Sequence, residues 1–185
     1  MGLFNIQDGG GSGRLATVSA FFRLNVSAKT NPRLFYSSRD EGKAFNCVST
    51  ASSIATGEYI FYIKNSSTTD NLYIKEVEFH SAEAAIWKVW HVTGIASGTT
   101  ITSSNLNLGS PNVAESLCAG NGAVSGLTNV KQVGTHRNGA DGEGGMDYED
   151  ALVLPPGTAI AVEYIGTTGA AEIDCFFHYE TIGKK

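Results

Sequence analysis

The segment EYIFYIK, residues Glu58–Lys64, is the clearest secondary-structure signal in this chain of 185 residues. It is rich in β-branched and aromatic residues, which favour strands, and it lies between Gly57 and the polar residues 65–67. Apolar side chains occur on both of its faces. Because a strand of this kind is typical of the centre of a sandwich or of a subunit interface, the segment predicts a buried β-strand.

The same strand pattern recurs on both sides of this segment. Further strands are predicted over Leu15–Leu24, Lys43–Ser49, Leu72–Phe79, Ala84–Val92, Gly126–Val133, Asp150–Leu154, Thr158–Ile165 and Ala171–Tyr179. Within Leu72–Phe79 the apolar phase shifts in mid-strand, which indicates a β-bulge. Only the turn 166–169 separates the last two strands, so they predict a hairpin. The segment 25–42 is predicted to be a long irregular loop, and the stretch 109–145 is predicted to be a glycine-rich excursion that contains the strand Gly126–Val133 and closes with the loop Arg137–Gly145.

Composition supports the same fold class. The chain has 22 glycines, 4 prolines and only 17% charged residues. Short strands joined by many turns have this composition, whereas long amphipathic helices need more Ala, Leu, Glu and Lys. With no internal repeat of 20–50 residues, the sequence predicts an all-β protein: an antiparallel β-sandwich, in the form of a jelly roll, in a single domain.

The first fourteen residues differ from the rest. Leu3, Phe4 and Ile6 form a short apolar patch, and the glycine-rich segment Asp8–Gly13 follows. This composition is typical of a flexible linker. Residues 1–14 are therefore predicted to be a flexible N-terminal arm and residues 15–185 the sandwich domain. The arm is either a disordered terminus or an apolar anchor that docks on a neighbouring subunit.

Charge and cysteine content exclude several protein classes. The net charge of -5 argues against a nucleic-acid partner, because phosphate binding needs clustered Lys and Arg. No apolar run approaches the ~20 residues that span a bilayer, so we expect no membrane partner. Three cysteines, Cys47, Cys118 and Cys175, argue against a disulfide framework. With no secretory signal at the N-terminus, we expect a soluble protein made in a cytoplasm.

A search for catalytic motifs favours a protein that is not an enzyme and needs no cofactor. The chain has no GxSxG, HExxH, P-loop or CxxC motif. His80 and His91 lie near the ends of adjacent predicted strands and could face each other, although two rim histidines are the simpler interpretation. Asp174 and His178 are roughly 13 Å apart along a strand, too far to act with Cys118 as a nucleophilic set.

The acidic segment Asp141–Asp150 has two interpretations. Calcium binds flexible segments that offer 6–8 oxygen ligands, and this segment is the densest acidic stretch of the chain. It lacks the EF-hand spacing, however, because no carboxylate follows Glu143 at the next alternate position. A solvated acidic loop is the favoured interpretation.

The aromatic residues also have two interpretations. Trp87, Trp90, Tyr59 and Tyr62, together with Tyr73, could form a platform on which sugar rings stack. The favoured alternative is that they fill the core or a subunit interface, as large aromatics usually do.

Three segments carry a resemblance to a known group of proteins. They are LYIKEVEF (Leu72–Phe79), NLNLGS (Asn105–Ser110) and LVLPPGTAIAV (Leu152–Val162). Their order resembles that of jelly-roll virion proteins of tailed bacteriophages, especially capsid decoration (cement) and head-associated proteins, over roughly residues 57–180. The resemblance implies a protein without catalysis that binds the major capsid protein and neighbouring copies of itself, as a homotrimer or other ring that stabilises the head. It also implies a location on the capsid surface of the virion, after synthesis in the host cytoplasm.

Two other functions stay open. A glycan-binding module of a head fibre or receptor-binding protein requires exposed, coplanar aromatic side chains. A small cupin-like metalloenzyme requires a bound metal.

In the leading hypothesis Leu3, Phe4 and Ile6 are candidate contacts to the capsid or to another subunit, because an apolar anchor on a tether adds contacts at modest entropic cost.

Overall fold

The computed structural model describes the strands β1 (Ile6–Gln7), β2 (Leu15–Val18) and β3 (Leu24–Asn25) and the continuous stretch 33–182. The chain divides into two compact units, residues 1–31 and 32–185. In the first unit β2 pairs antiparallel with both β1 and β3. The prediction of one strand over Leu15–Leu24 that belongs to the sandwich is therefore wrong. The predicted flexible arm over residues 1–14 stays a prediction, since most of its residues lie outside the described ones.

The second unit begins with a helical turn, α1 (Arg33–Tyr36), and a π-helical turn (Ser37–Glu41). Gly42 ends this turn in the left-handed conformation, with φ 61°. Nine strands follow: β4 (Ala44–Ile54), β5 (Glu58–Asn65), β6 (Asp70–Ser81), β7 (Ala85–Ile101), β8 (Ser104–Asn105), β9 (Ser116–Asn138), β10 (Gly142–Leu154), β11 (Ala159–Gly166) and β12 (Gly169–Thr181).

Two antiparallel sheets form the sandwich. The first has the order β10-β6-β12-β4, and the short β8 pairs with the outer edge of β4. The second has the order β5-β11-β7-β9, and β9 returns to pair with β5, so this sheet closes on itself. With the short β8 left aside, successive strands alternate between the two sheets, except that β7 and β9 both belong to the second sheet; this is the topology of a jelly roll. The prediction of an all-β sandwich is confirmed.

The predicted C-terminal hairpin is wrong. β11 pairs with β5 and β7, whereas β12 pairs with β4 and β6 in the other sheet. The turn 167–168 carries the chain across the sandwich. Alternation of apolar residues is the same for two strands that pair and for two strands that face each other across a core, so the pattern alone does not separate these cases.

Strands β5 and β6 follow the sequence pattern closely. β5 is central, with β11 on one side and β9 on the other. In β6, Leu72 and Ile74 are buried and so are Val77 and Phe79, and the register with β12 shifts between Phe176 and Phe177. The predicted β-bulge is confirmed.

The core between the sheets is aromatic at its centre. Trp87 is fully buried, stacks on Phe79 with ring centroids 5.2 Å apart, and meets the edge of Tyr164 at the same distance. Its indole nitrogen donates a hydrogen bond of 2.8 Å to Asn138. A second, smaller apolar cluster is formed by strands of the closed sheet alone, from Tyr62, Val92, Ala119, Val124, Ala159 and Ala161.

The strands in the glycine-rich stretch 109–145 are longer than predicted, because β9 extends beyond Gly126–Val133 at both ends and β10 begins at Gly142. Several of its glycines lie where neighbouring groups approach too closely for a side chain. A Cβ atom on Gly120 would lie 2.3 Å from the Ser49 hydroxyl, and one on Gly126 would lie 2.3 Å from the Ile95 carbonyl oxygen. Glycine inside a strand commonly marks such a close approach, so its presence here does not indicate a turn.

Alternating strand directions give the sandwich two unlike ends. We call one the loop end: it contains residues 33–43, 66–69, 102–115, 155–158 and 182. The other is the turn end, with residues 55–57, 82–84, 139–141 and 167–168. Buried Asn65 joins two connections at the loop end, since its side-chain amide donates to the carbonyls of Asp70 and Leu154 at 2.9 and 2.8 Å.

Candidate functional site

The loop end concentrates exposed apolar side chains. Among the described residues ten large hydrophobic side chains are exposed, and six of them lie at this end: Phe35, Tyr36, Leu106, Leu108, Val113 and Ile182. Leu108 is 94% exposed and Val113 is 81% exposed. None of the ten lies at the turn end. Exposed apolar side chains that gather on one part of a soluble protein mark an interaction surface.

The loop 102–115 is held to the body through the carbonyl oxygen of Gly42. The side-chain amide of Asn105 donates to this oxygen at 2.8 Å, and Asn112 and Ser110 each approach it at 3.4 Å. The Asn112 amide also donates to the Glu41 carbonyl at 3.0 Å. We call these contacts the Gly42 clasp. They fix the position of a loop that has no regular secondary structure after Asn105.

A pocket of about 340 Å³ opens beside the clasp. It is lined by Lys43, Phe45, Asp70, the segment 111–113, Glu115 and Tyr179. The Lys43 ammonium and the Asp70 carboxylate form an ion pair of 2.7 Å across one wall. Burial alone would raise the pKa of Asp70, but the hydrogen bond and charge of Lys43 hold it below its ordinary value, so Asp70 is ionised at neutral pH.

The structure separates the five aromatic residues that the sequence singled out, and the ring of one of them, Tyr73, stacks on His178. Trp87 and Tyr62 are buried in the two apolar clusters, so neither can stack on a sugar. Trp90 and Tyr59 are half-buried, and their polar atoms are hydrogen bonded: Trp90 donates to Glu163 at 2.7 Å and Tyr59 to Asn129 at 2.6 Å. The predicted platform is reduced to these two residues.

The predicted contacts of the N-terminal arm are not described in atomic detail. Leu3 and Phe4 lie outside the described residues, and Ile6 is described only as part of β1. Their role as contacts to a capsid or to another subunit stays a prediction.

The histidines and carboxylates proposed for chemistry are not assembled. His80 lies on β6 and His91 on β7, in different sheets, which argues against the alternative in which they face each other. Cys118 packs in the core, whereas Asp174 and His178 lie on the opposite face of β12 from the core residues Cys175 and Phe177. Among the described residues no group of three His, Cys, Asp or Glu side chains is placed to hold a metal ion.

The acidic segment 141–150 is mainly strand, which corrects the prediction of a loop. It begins β10, and Lys75 of β6 forms an ion pair with Asp147. With Glu76, Glu78, Glu172 and Asp174 of the neighbouring strands, Glu143 lines a groove of about 650 Å³ on the outer face of the first sheet. Burial and the charges of Glu76, Asp174 and Glu143 raise the pKa of Glu78.

His178 is a buried histidine between two carboxylates. Its Nδ1 lies 3.6 Å from Asp150 Oδ1, its Nε2 lies 3.5 Å from Glu180 Oε1, and its ring stacks on Tyr73. Glu149 and Asp150 both have positive φ, 48° and 65°, which turns the chain so that Asp150 reaches the ring. Burial lowers the pKa of His178, and the two carboxylates act in the opposite direction.

The three cysteines are free thiols in the core. Cys118 Sγ lies 3.5 Å from the hydroxyls of Ser103 and Ser116. A hydrogen bond from Cys47 lowers the pKa of Cys118 to about 7, against the effect of burial. Burial raises the pKa of Cys175. All three are almost wholly buried, so they offer no accessible nucleophile in this structure.

Sequence reasoning missed the loop-end site. Lys43, Asp70, Glu115 and Tyr179 come from four distant segments, and no spacing along the chain relates them. The one available signal was the series of asparagines at 105, 107 and 112, since asparagine side chains commonly bond to the backbone of irregular loops.

No protein-family model, curated protein or solved structure matches this chain. None of the helices that the structure describes is long and apolar enough to cross a membrane.

Substitution of Gly42 should release the loop. Gly42→Ala places a side chain in a left-handed conformation, which costs roughly 1–2 kcal/mol, and its Cβ would lie 2.3 Å from Ser110 Oγ. We expect a loss of stability beyond that conformational cost and faster amide hydrogen exchange over residues 102–115. Gly157→Ala is the matched control, because Gly157 has φ 81° but open space around it. Equal effects of the two substitutions, with no change in loop exchange, would contradict the clasp.

His178 should make the sandwich less stable in acid. The ordinary histidine pKa of about 6.5 applies to the unfolded chain, and the folded value is lower, so protons bind the unfolded chain more strongly. Stability present above the unfolded value is therefore lost as pH falls through 6.5 towards the folded value. In urea unfolding between pH 7.5 and 5.5, His178→Phe should lose less stability than the wild-type chain.

The control for this experiment is His80→Phe, at an exposed position on the same sheet face. It should keep the wild-type loss of stability in acid. A His178→Phe protein that shows the full wild-type loss would show that His178 does not contribute to it.

Proposed function

We propose that this chain is a structural protein of a bacteriophage virion, a decoration protein that binds the capsid surface and stabilises the head. The observation that carries the proposal is the loop end: six exposed apolar side chains at one end of a jelly roll whose opposite end has none among the described residues. A protein that covers a particle needs one attachment surface and one surface in solvent. This asymmetry fits that requirement.

Three further features support the proposal. Jelly rolls are common among capsid proteins, although a fold alone leaves function open. The Gly42 clasp holds the exposed side chains in place before binding, which reduces the entropic cost of attachment. The sequence also resembles jelly-roll decoration and head-associated proteins over residues 57–180. A lattice offers many equivalent positions, so we expect the chain to attach to the major capsid protein as a symmetric oligomer, most simply a homotrimer.

A glycan-binding module is the second candidate, favoured by Trp90 and Tyr59. These half-buried aromatics lie beside Glu163 and Asn129, and Lys88 lies 5.9 Å from the centre of the Trp90 ring. Aromatic rings flanked by carboxylate and amide groups suit sugars. The hydrogen bonds that already occupy Glu163 and Asn129 weaken this candidate, because a sugar would have to displace them.

Attachment to a capsid can be measured by co-sedimentation. Capsids of the phage that encodes the chain are first stripped of it. The purified chain is then mixed with these capsids and should pellet with them at a fixed ratio to the major capsid protein. Light scattering after size-exclusion chromatography should show an oligomer. Leu108→Ser with Val113→Ser should weaken binding by tenfold or more, because both side chains are exposed at the loop end.

The matched control is Val48→Ser with Val130→Ser, which removes two exposed valines from the outer strand faces. It should bind as the wild-type chain does. A chain that is monomeric and stays in the supernatant while the capsids pellet would contradict the proposal. If the chain instead binds members of a glycan library and Trp90→Ala abolishes that binding, the second candidate is favoured.

A further inference from the structure

The pocket beside the Gly42 clasp contains a buried polar group that lacks a well-formed hydrogen bond. Tyr179 lines the pocket and is only 4% exposed. Its hydroxyl lies near the Ser116 side chain, which acts on the pKa of Tyr179 as a hydrogen-bond partner, but no hydrogen bond of good geometry joins the two groups. Burial raises the pKa of Tyr179, so the hydroxyl is neutral and can both donate and accept a hydrogen bond. An unpaired buried hydroxyl costs stability, which a bound partner would recover.

The charge of the pocket is unbalanced. Lys43 neutralises Asp70, since the two form an ion pair of 2.7 Å. Glu115 also lines the pocket, and none of the ion pairs among the described residues includes it. One negative charge is therefore left over. The compact unit around the pocket adds to its negative electrostatic potential. Seventeen of the eighteen Asp and Glu residues lie after residue 32, whereas only ten of the thirteen Lys and Arg residues do.

Aromatic rings form the floor of the pocket. Phe45 and Tyr179 meet edge to face with centroids 5.9 Å apart, and both line it. A cation gains from the faces or the electron-rich oxygen of such rings as well as from a nearby carboxylate. A volume of about 340 Å³ is ample for one long side chain. The exposed Val113 at the rim would pack against the aliphatic part of that side chain.

We propose that this pocket receives a cationic side chain, an arginine or lysine, from the protein surface to which the loop end binds. Glu115 forms the ion pair with the incoming group, and Tyr179 supplies a hydrogen bond below it. The apolar residues of the loop end surround this contact and exclude water. The inference rests on the proposed function, since it names the chemistry of the partner at the same surface.

A small probe tests the pocket without a capsid. Amide resonances of the full chain are followed by NMR as N-acetyl-arginine amide is added, with N-acetyl-citrulline amide as the uncharged analogue of the same shape. We expect shifts centred on residues 43–45, 70, 111–115 and 179 with the arginine probe only. Glu115→Gln should weaken the arginine affinity by about fivefold or more. Glu143→Gln, a carboxylate on the outer sheet face, should leave the affinity unchanged.

Three results would overturn the inference. They are the absence of shifts with the arginine probe, equal shifts with the citrulline probe, and shifts centred on the acidic groove that vanish in Glu143→Gln. Capsid binding separates this inference from the proposed function. If wild-type and Glu115→Gln chains co-sediment with capsids equally well, the pocket assignment fails and the decoration function stands. If neither chain binds capsids although the probe binds the pocket, the decoration function fails.

Discussion

Antiparallel pairing constrains where every loop of this protein can lie. Each strand of β4–β7 and β9–β12 runs opposite to the strand before it, so successive connections fall alternately at the two ends of the sandwich. The long connection 102–115 and the entry segment 33–43 are both forced to the same end. Their meeting point is the carbonyl oxygen of Gly42, which accepts from Asn105 and lies near Ser110 and Asn112. The loop end is therefore a consequence of topology, completed by one clasp.

Packing explains why this end can be exposed and still be ordered. The core aromatics, with Trp87 against Phe79 and Tyr164, pack the two sheets against each other. Asn65 ties two connections at the loop end to this body through its hydrogen bonds to the carbonyls of Asp70 and Leu154. Apolar side chains such as Leu108 and Val113 are thus held on a fixed scaffold, and a surface fixed before binding loses little entropy when it binds.

Sequence patterns predicted the fold class because strand formation depends on local alternation. In Glu58–Lys64 and Leu72–Phe79 the local pattern of apolar residues indicates which side chains are buried. The sequence therefore predicts both strands, and it also predicts the β-bulge in Leu72–Phe79. Sheet assignment depends on partners far along the chain, so the local pattern predicts a hairpin of β11 and β12 although they lie in different sheets. The extent of strand around the glycines of 109–145 was not predicted for a related reason. Gly120 and Gly126 are required by close contacts with Ser49 and Ile95, and these contacts are not visible in the local sequence pattern. The pocket was beyond prediction because topology alone brings Lys43, Glu115 and Tyr179 together.

The most direct test of this account is a cryo-EM map of the native particle, which would show the chain in place on its lattice. The account predicts that the loop end faces the capsid, with Leu108 and Val113 in the contact and a basic side chain of the capsid protein beside Glu115. The turn end, with the short connections 55–57 and 82–84, should face solvent. A map in which the turn end or the acidic face of the first sheet contacts the lattice would contradict the central claim, as would a particle that lacks the chain.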